Sequence, residues 1–65
     1  MRMVFCKGDQ IRRFLVERVE LCGWEVRAEQ NSQVLKRIRT RDWHRVERAL
    51  LAFSVEARAA GWSEA

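Results

Sequence analysis

The chain has no proline, three glycines and two cysteines among its 65 residues. No apolar run approaches the roughly 18 residues that a membrane-spanning helix needs, so we expect no transmembrane segment and no membrane partner. The N-terminal residues turn polar too soon for a signal peptide. With 48% hydrophobic residues, the composition is that of a folded domain and not of a disordered basic tail. We therefore predict a single cytoplasmic domain that spans residues 1–65.

Metal ligands and catalytic groups are also scarce. Cys6 and Cys22 do not have the spacing of a zinc site, and His44 is the single histidine. We interpret the two cysteines as buried reduced thiols, with a disulfide as the alternative. No Ser-His-Asp, Cys-His or paired-carboxylate arrangement has a recognisable spacing. The sequence therefore predicts a protein that is not an enzyme and that holds no metal or other cofactor.

Basic residues are what the chain has in excess. It carries 13 Lys and Arg against 9 Asp and Glu, which gives a net charge of +4. Six of the basic residues fall between positions 36 and 48, where Asp42 and Glu47 are the only acidic ones. This segment therefore supplies the whole excess. Charge concentrated in this way is typical of a surface that binds a polyanion or an acidic protein.

Hydrophobic periodicity in the first third of the chain predicts a strand and then a helix. Residues 1–6 have the pattern of a strand with apolar side chains on both faces. Apolar residues then recur at helical spacing: Ile11, Phe14, Leu15, Val19 and Cys22. Asp9 is the expected N-cap of this helix, and Gly23 is the residue expected just after its end.

The middle of the chain predicts a β-hairpin. Residues 24–29 alternate between apolar and charged side chains, as in a half-buried strand with Trp24 inward. Gln30-Asn31-Ser32 has the composition of a turn, and residues 34–40 form the second strand. The alternation of that strand is imperfect, which indicates either that Lys36 snorkels at the sheet margin or that a bulge shifts the phase.

A second helix completes the predicted fold. Thr40 or Asp42 caps its start, Gly61 ends it, and Trp62 makes an apolar contact after the end. The order is β-α-β-β-α, and we predict an α+β domain with a three-stranded, split antiparallel sheet and both helices on one face. The third strand would be central, so the arrangement resembles a ferredoxin-like fold that lacks its last strand.

The candidate binding surface is a ridge of cations on the third strand and the last helix. Arg37 and Arg39 alternate onto the sheet face away from the helices, and basic residues at 41, 45 and 48 stack along one side of the helix. The candidate contact residues are Lys36, Arg37, Arg39, Arg41, His44, Arg45 and Arg48. The alternative is a solvated face whose cations are neutralised by nearby carboxylates: Glu25, Glu29, Asp42 and Glu47.

Two functions are compatible with this ridge. The first is a small DNA- or RNA-binding module that contacts phosphates. The central strand lacks the exposed aromatic residues of an RNA-recognition motif. The second is a protein-binding regulator or inhibitor, of the compact kind that phages and mobile elements encode. Such a protein would dock its ridge on an acidic or nucleic-acid-handling partner.

The last helix has a wider apolar face than one small sheet requires. A homodimer or a docked partner would cover the excess, with Trp43, Leu51 and Val55 as candidate interface residues. The alternative is that the helix packs against both the sheet and the first helix.

Overall fold

The computed structural model describes residues 1–21 and 23–65. These residues form five strands and one helix: β1 (Arg2–Lys7), β2 (Gln10–Val19), β3 (Gly23–Gln30), β4 (Gln33–Thr40), α1 (Trp43–Ala59) and β5 (Ser63–Glu64). The strands make one antiparallel sheet in the order β4-β3-β2-β1-β5. The helix covers one face of this sheet, and no helix in the described ranges is long and apolar enough to cross a membrane.

The prediction of a three-stranded split sheet with two helices is wrong. The segment predicted as the first helix is β2, which lies between β1 and β3, and the strand predicted to be central, β4, is an edge strand. Phe14 and Val16 of β2 are buried, whereas Leu15 between them lies on the other face. A strand with apolar residues on both faces produces spacings of three and four residues, which imitate a helix. The β-branched residues of this segment favour the strand.

The turn between β1 and β2 explains why Asp9 caps no helix. Lys7 pairs with Gln10, so Gly8 and Asp9 form a two-residue hairpin loop. Gly8 has a φ of 62°, the left-handed conformation that glycine adopts readily in such loops. The chain therefore returns at once as a neighbouring strand. Gly23, expected to follow the end of a helix, is instead the first residue of β3.

The predicted hairpin in the middle of the chain is confirmed. Asn31 and Ser32 form its two-residue loop, with φ angles of 50° and 71°. The bulge considered for the second strand is also present. Val34 pairs with Glu29 and Lys36 with Ala28, so one residue of β4 is extra, and the alternation of side chains changes phase there.

The predicted last helix is confirmed, with both of its ends. The Asp42 side chain accepts a hydrogen bond of 2.9 Å from the backbone N–H of His44, which makes Asp42 the N-cap. At the other end, Gly61 has a φ of 91°, and the N–H of Trp62 donates to the carbonyl of Ala57 at 2.9 Å. This is a Schellman ending, and it leads into β5, a short strand that the sequence did not predict.

The core lies between α1 and the helix-facing side of the sheet. Its members are Phe5, Phe14, Val16, Val26, Ala28, Val46, Leu50, Phe53, Ala57 and Trp62. Trp24 packs against this core and contacts Trp43 edge-on, with ring centroids 4.8 Å apart. All six aromatic side chains therefore belong to the helix side of the sheet. Cys6 is half-buried and not buried as predicted; Cys22 lies outside the described residues.

Candidate nucleic-acid interface

Three acidic and three basic side chains meet on the sheet face that α1 leaves uncovered. We call this group the Glu25 cluster, and its members are Glu17, Glu25, Glu29, Arg27, Arg37 and Arg39. Glu25 lies at the centre and is only 6% exposed. The Nε atoms of Arg37 and Arg39 lie 3.1 and 3.0 Å from its Oε1 atom. Arg27 Nη1 lies 3.1 Å from its other oxygen, Oε2.

The sheet register explains why so many charges meet there. Glu17 lies directly opposite Glu25 on the neighbouring strand, and Arg27 lies directly opposite Arg37. Like charges in such positions destabilise a sheet. Here each carboxylate contacts a guanidinium, because Arg27 also pairs with Glu17 and, at 3.1 Å, with Glu29. The ion pairs across and along the strands offset the repulsion.

The charges around Glu25 change its protonation equilibrium. The hydrogen bond from Arg39 lowers the pKa of the Glu25 carboxyl below its ordinary value of 4.5, and the nearby charges of Arg37, Arg39 and Arg27 lower it further. Burial acts in the opposite direction and is outweighed. Glu25 is therefore a carboxylate at neutral pH and holds the surrounding guanidiniums in place.

The Glu25 cluster has no net charge, because its three guanidiniums balance its three carboxylates. The net charge of +4 is therefore carried entirely by the residues outside the cluster. Arg37 and Arg39 lie on the face that the sequence predicted, and each remains half exposed. Of the carboxylates that the alternative interpretation named, Glu25 contacts Arg37 and Arg39, whereas Glu29 contacts Arg27.

Four other arginines surround the start of α1 and form what we call the helix-start surface: Arg18, Arg41, Arg45 and Arg48. Within the part of the chain that the structure describes, none of the four forms an ion pair with a carboxylate. All four are exposed. Their charges are therefore available to an external anion, unlike those of the Glu25 cluster.

Arg41 is fixed in place by the turn that follows β2. Its Nε and Nη2 atoms donate to the carbonyl oxygen of Leu21 at 3.1 and 2.6 Å. Its backbone also lies close to Gly23, where an added Cβ would stand 2.8 Å from the Cα of Arg41. These contacts attach the segment before α1 to the end of the β2–β3 hairpin.

Arg18 is the member of this surface that the sequence did not predict. Its guanidinium lies 5.8 Å from the ring centroid of Trp24, and Trp24 contacts Trp43 at the first position of α1. The prediction of a helix for this segment gave no reason to place Arg18 beside Trp24 and the start of α1. In a strand, Arg18 shares a face with Phe14 and Val16, and this alternation is the signal that would have placed it near the helix.

The start of α1 is capped by Asp42 and leaves few amides free for an anion. Its first turn contains no acidic side chain, but the side chain of Asp42 accepts from the N–H of His44, and its carbonyl oxygen accepts from the N–H groups of Arg45 and Val46. His44 lies in that turn and is almost fully exposed, with its Nδ1 atom 3.7 Å from a Glu47 oxygen. It forms an ion pair with Glu47 only when protonated.

Lys36 does not lie with the rest of the predicted ridge. The bulge in β4 leaves it paired with Ala28, and its Nζ atom lies 5.7 Å from the ring centroid of Phe53 on the helix side. Together with Arg12 and Leu35 it lines a small cleft of about 230 Å³ between the sheet and α1. Arg37 and Arg39 occupy the opposite face of the sheet.

The candidate interface residues of α1 are exposed to different extents. Leu51 and Val55, one helical turn apart, are 65% and 56% exposed, whereas Trp43 is partly covered by Trp24. The alternative, in which a first helix covers them, is wrong because that segment is β2. The exposed pair therefore remains without a covering element in the described residues.

Comparison of the chain with protein-family models, with curated proteins and with solved structures finds no match. The chemistry of the two arginine-rich surfaces is therefore what indicates a function.

Proposed function

We propose that the protein binds nucleic acid and contacts its phosphates with the helix-start surface. The observation that supports this is the distribution of charge. The Glu25 cluster is neutral, whereas the arginines around the start of α1 have no carboxylate partners among the described residues. Arginine forms paired hydrogen bonds with phosphate.

The binding chemistry is expected to be directed at the backbone of the nucleic acid. Single-stranded nucleic acids are commonly bound by exposed aromatic side chains on which bases stack. Here all six aromatic residues lie on the helix side of the sheet, and most of them are buried in the core. Contacts to phosphates therefore supply the affinity, which makes binding strongly dependent on salt and weakly dependent on sequence.

The test is fluorescence anisotropy with labelled duplex DNA, single-stranded DNA and RNA over a series of salt concentrations. With duplex DNA, four arginines that each neutralise a phosphate give a slope of about −3.6 for the logarithm of the association constant against the logarithm of salt concentration. Replacing Arg45 and Arg48 by Gln should weaken binding and reduce that slope by about 2.

The matched control is the double substitution of Arg2 and Arg13 by Gln. It removes the same charge from the uncovered face of the sheet, where neither residue belongs to the Glu25 cluster. We expect it to change the slope little. Equal losses of affinity in the two double variants would mean that the helix-start surface is not the binding site. Absence of binding by the unmodified protein at low salt would contradict the proposal itself.

A protein partner is the second candidate, and one observation favours it. Leu51 and Val55 form an exposed apolar pair on α1 beside Arg48, and apolar side chains next to arginine are common at protein interfaces. In this case the protein would regulate or inhibit a larger acidic partner, or a second copy of the chain would cover α1. Substituting both residues by Gln would then abolish the association, which size-exclusion chromatography with light scattering would detect.

A further inference from the structure

Leu21 is the most exposed large apolar residue of the described chain. It lies in the turn between β2 and β3, and 89% of its surface is accessible. It therefore contributes almost nothing to the core. Leu51, the next most exposed leucine, lies on the regular helix α1, whereas Leu21 stands at the end of a hairpin beside the helix-start surface.

The backbone of Leu21 is held in an unfavourable conformation. Its φ is 68°, in the left-handed region where a side chain with a Cβ is disfavoured and where glycine or asparagine is usual. The two hydrogen bonds from Arg41 to its carbonyl oxygen, at 3.1 and 2.6 Å, oppose this cost. An exposed leucine is thus kept where glycine would make the turn more easily.

Two cations flank this leucine. Arg18, Leu21 and Arg41 line one shallow depression at the end of the hairpin, and Glu20 supplies the only carboxylate among its described lining residues. An aliphatic side chain between two phosphate-binding groups suits a ligand that offers an apolar gap between two anionic strands. Duplex DNA offers this in its minor groove, where inserted leucines partly unstack a base step and bend the helix.

We propose that Leu21 is a wedge that enters the minor groove of duplex DNA while Arg18 and Arg41 contact the flanking phosphates. This inference rests on the proposed nucleic-acid binding and adds to it the class of ligand and the deformation. An aliphatic wedge suits a stacked duplex, because single strands are held by aromatic stacking and no aromatic side chain of the described residues lines the depression around Leu21. The narrow minor groove distinguishes DNA from the wide, shallow groove of duplex RNA.

The experiment compares affinity and bending for a short duplex DNA labelled at both ends, using anisotropy and energy transfer. Leu21→Asn removes the apolar side chain and keeps a residue that tolerates the left-handed backbone, so the fold is retained. We expect it to bind about tenfold more weakly, as for the loss of one buried leucine, and to abolish the bend. Leu21→Met should retain both properties.

The matched control is Leu35→Gln, which removes a half-exposed leucine of β4 that belongs to neither arginine-rich surface and should leave affinity and bending unchanged. If Leu21→Asn binds and bends DNA like the unmodified protein, the wedge is overturned and the proposed phosphate contacts stand. The same dependence on Leu21 with duplex RNA would also overturn a wedge in the DNA minor groove. Failure of the unmodified protein to bind any nucleic acid would instead remove the proposed function on which the wedge rests.

Discussion

The Glu25 cluster and the helix-start surface are both rich in arginine, but they differ in what the guanidiniums contact. In the Glu25 cluster, Arg27, Arg37 and Arg39 contact carboxylates: those of the buried Glu25, the half-buried Glu29 and the exposed Glu17. On the helix-start surface the arginines contact a backbone carbonyl, an aromatic ring or solvent. The first group holds strands together, and the second retains its charge for a ligand.

The difference shows that charge density along a sequence does not equal charge density on a surface. Arg39 and Arg41 are two residues apart, yet only Arg39 lies beside the acidic residues of β3. The chain leaves the sheet after Thr40, so Arg41, Arg45 and Arg48 have no neighbouring strand in the described residues to supply a carboxylate, whereas Arg58 near the end of α1 pairs with Glu64 of β5. The position of the last strand residue therefore divides the basic segment into a neutralised part and a free part.

The largest effect is expected from Gly23→Ala, which disturbs the attachment of the helix-start surface to the sheet. Gly23 has a φ of 85°, and an added Cβ would stand 2.8 Å from backbone atoms of both Thr40 and Arg41. We expect a loss of about 3 kcal/mol in the free energy of unfolding, from backbone strain and overpacking together. Urea denaturation measures it.

Gly8→Ala is the control for that experiment. Gly8 also has a positive φ, of 62°, but nothing lies within 4 Å of the added Cβ. Only the backbone cost applies, about 1 kcal/mol. Equal losses at Gly8 and Gly23 would show that the contact with Arg41 contributes nothing.

Glu25→Gln tests the neutrality of the cluster and should have the next largest effect. Removing this charge leaves the three guanidiniums with two carboxylates, so the cluster changes from neutral to cationic. We expect a lower thermal unfolding midpoint and a several-fold gain in affinity for duplex DNA at low salt. Glu29 has a single arginine partner, so Glu29→Gln should change the unfolding midpoint and the affinity less. An affinity unchanged by Glu25→Gln would mean that the cluster face does not approach the ligand.

The pKa of Glu25 makes the stability of the cluster dependent on pH. The pKa of Glu25 in the folded state lies below its ordinary value of 4.5. Ionised Glu25 therefore contributes its full stabilisation to the fold at pH values above 4.5. The contribution is lost as the pH falls through the lowered pKa. Urea denaturation between about pH 7 and about pH 3 should therefore show the unmodified protein losing its advantage over Glu25→Gln only in the acidic part of the range. A constant difference would contradict this linkage.

Lys36→Gln should have the smallest effect on binding. Lys36 lies over Phe53 on the helix side and belongs to neither arginine-rich surface. The salt dependence of nucleic-acid binding should stay the same, whereas a phosphate contact would reduce the slope by about 0.9. A reduction of that size would show that Lys36 contacts a phosphate, as the sequence predicted.

Local signals in the sequence predicted about half of the fold. The β3–β4 hairpin follows from the strict alternation of residues 24–29 and from the turn residues Asn31 and Ser32, which adopt positive φ. The helix α1 follows from its apolar spacing, its N-cap Asp42 and its Gly61 ending. These features depend on residues close in the chain, so neighbours alone are enough to specify them.

The candidate site was predicted only in part. The exposure of Arg41, Arg45 and Arg48 and the face of Arg37 and Arg39 agree with the prediction. The inclusion of Arg18 and the separation of Lys36 do not follow from it. Both depend on β2 being a strand and on the bulge in β4, which decide the face on which a side chain lies.

The sequence by itself determined the amount of charge, its concentration between residues 36 and 48, the hairpin turn and the two ends of α1. Tertiary structure alone decided that residues 10–19 form a strand, because its apolar residues fit either period and only pairing with β1 and β3 selects one. It also decided which arginines are neutralised. Ion pairs across a sheet join residues distant in sequence, and strand register, which no local pattern encodes, sets their distances.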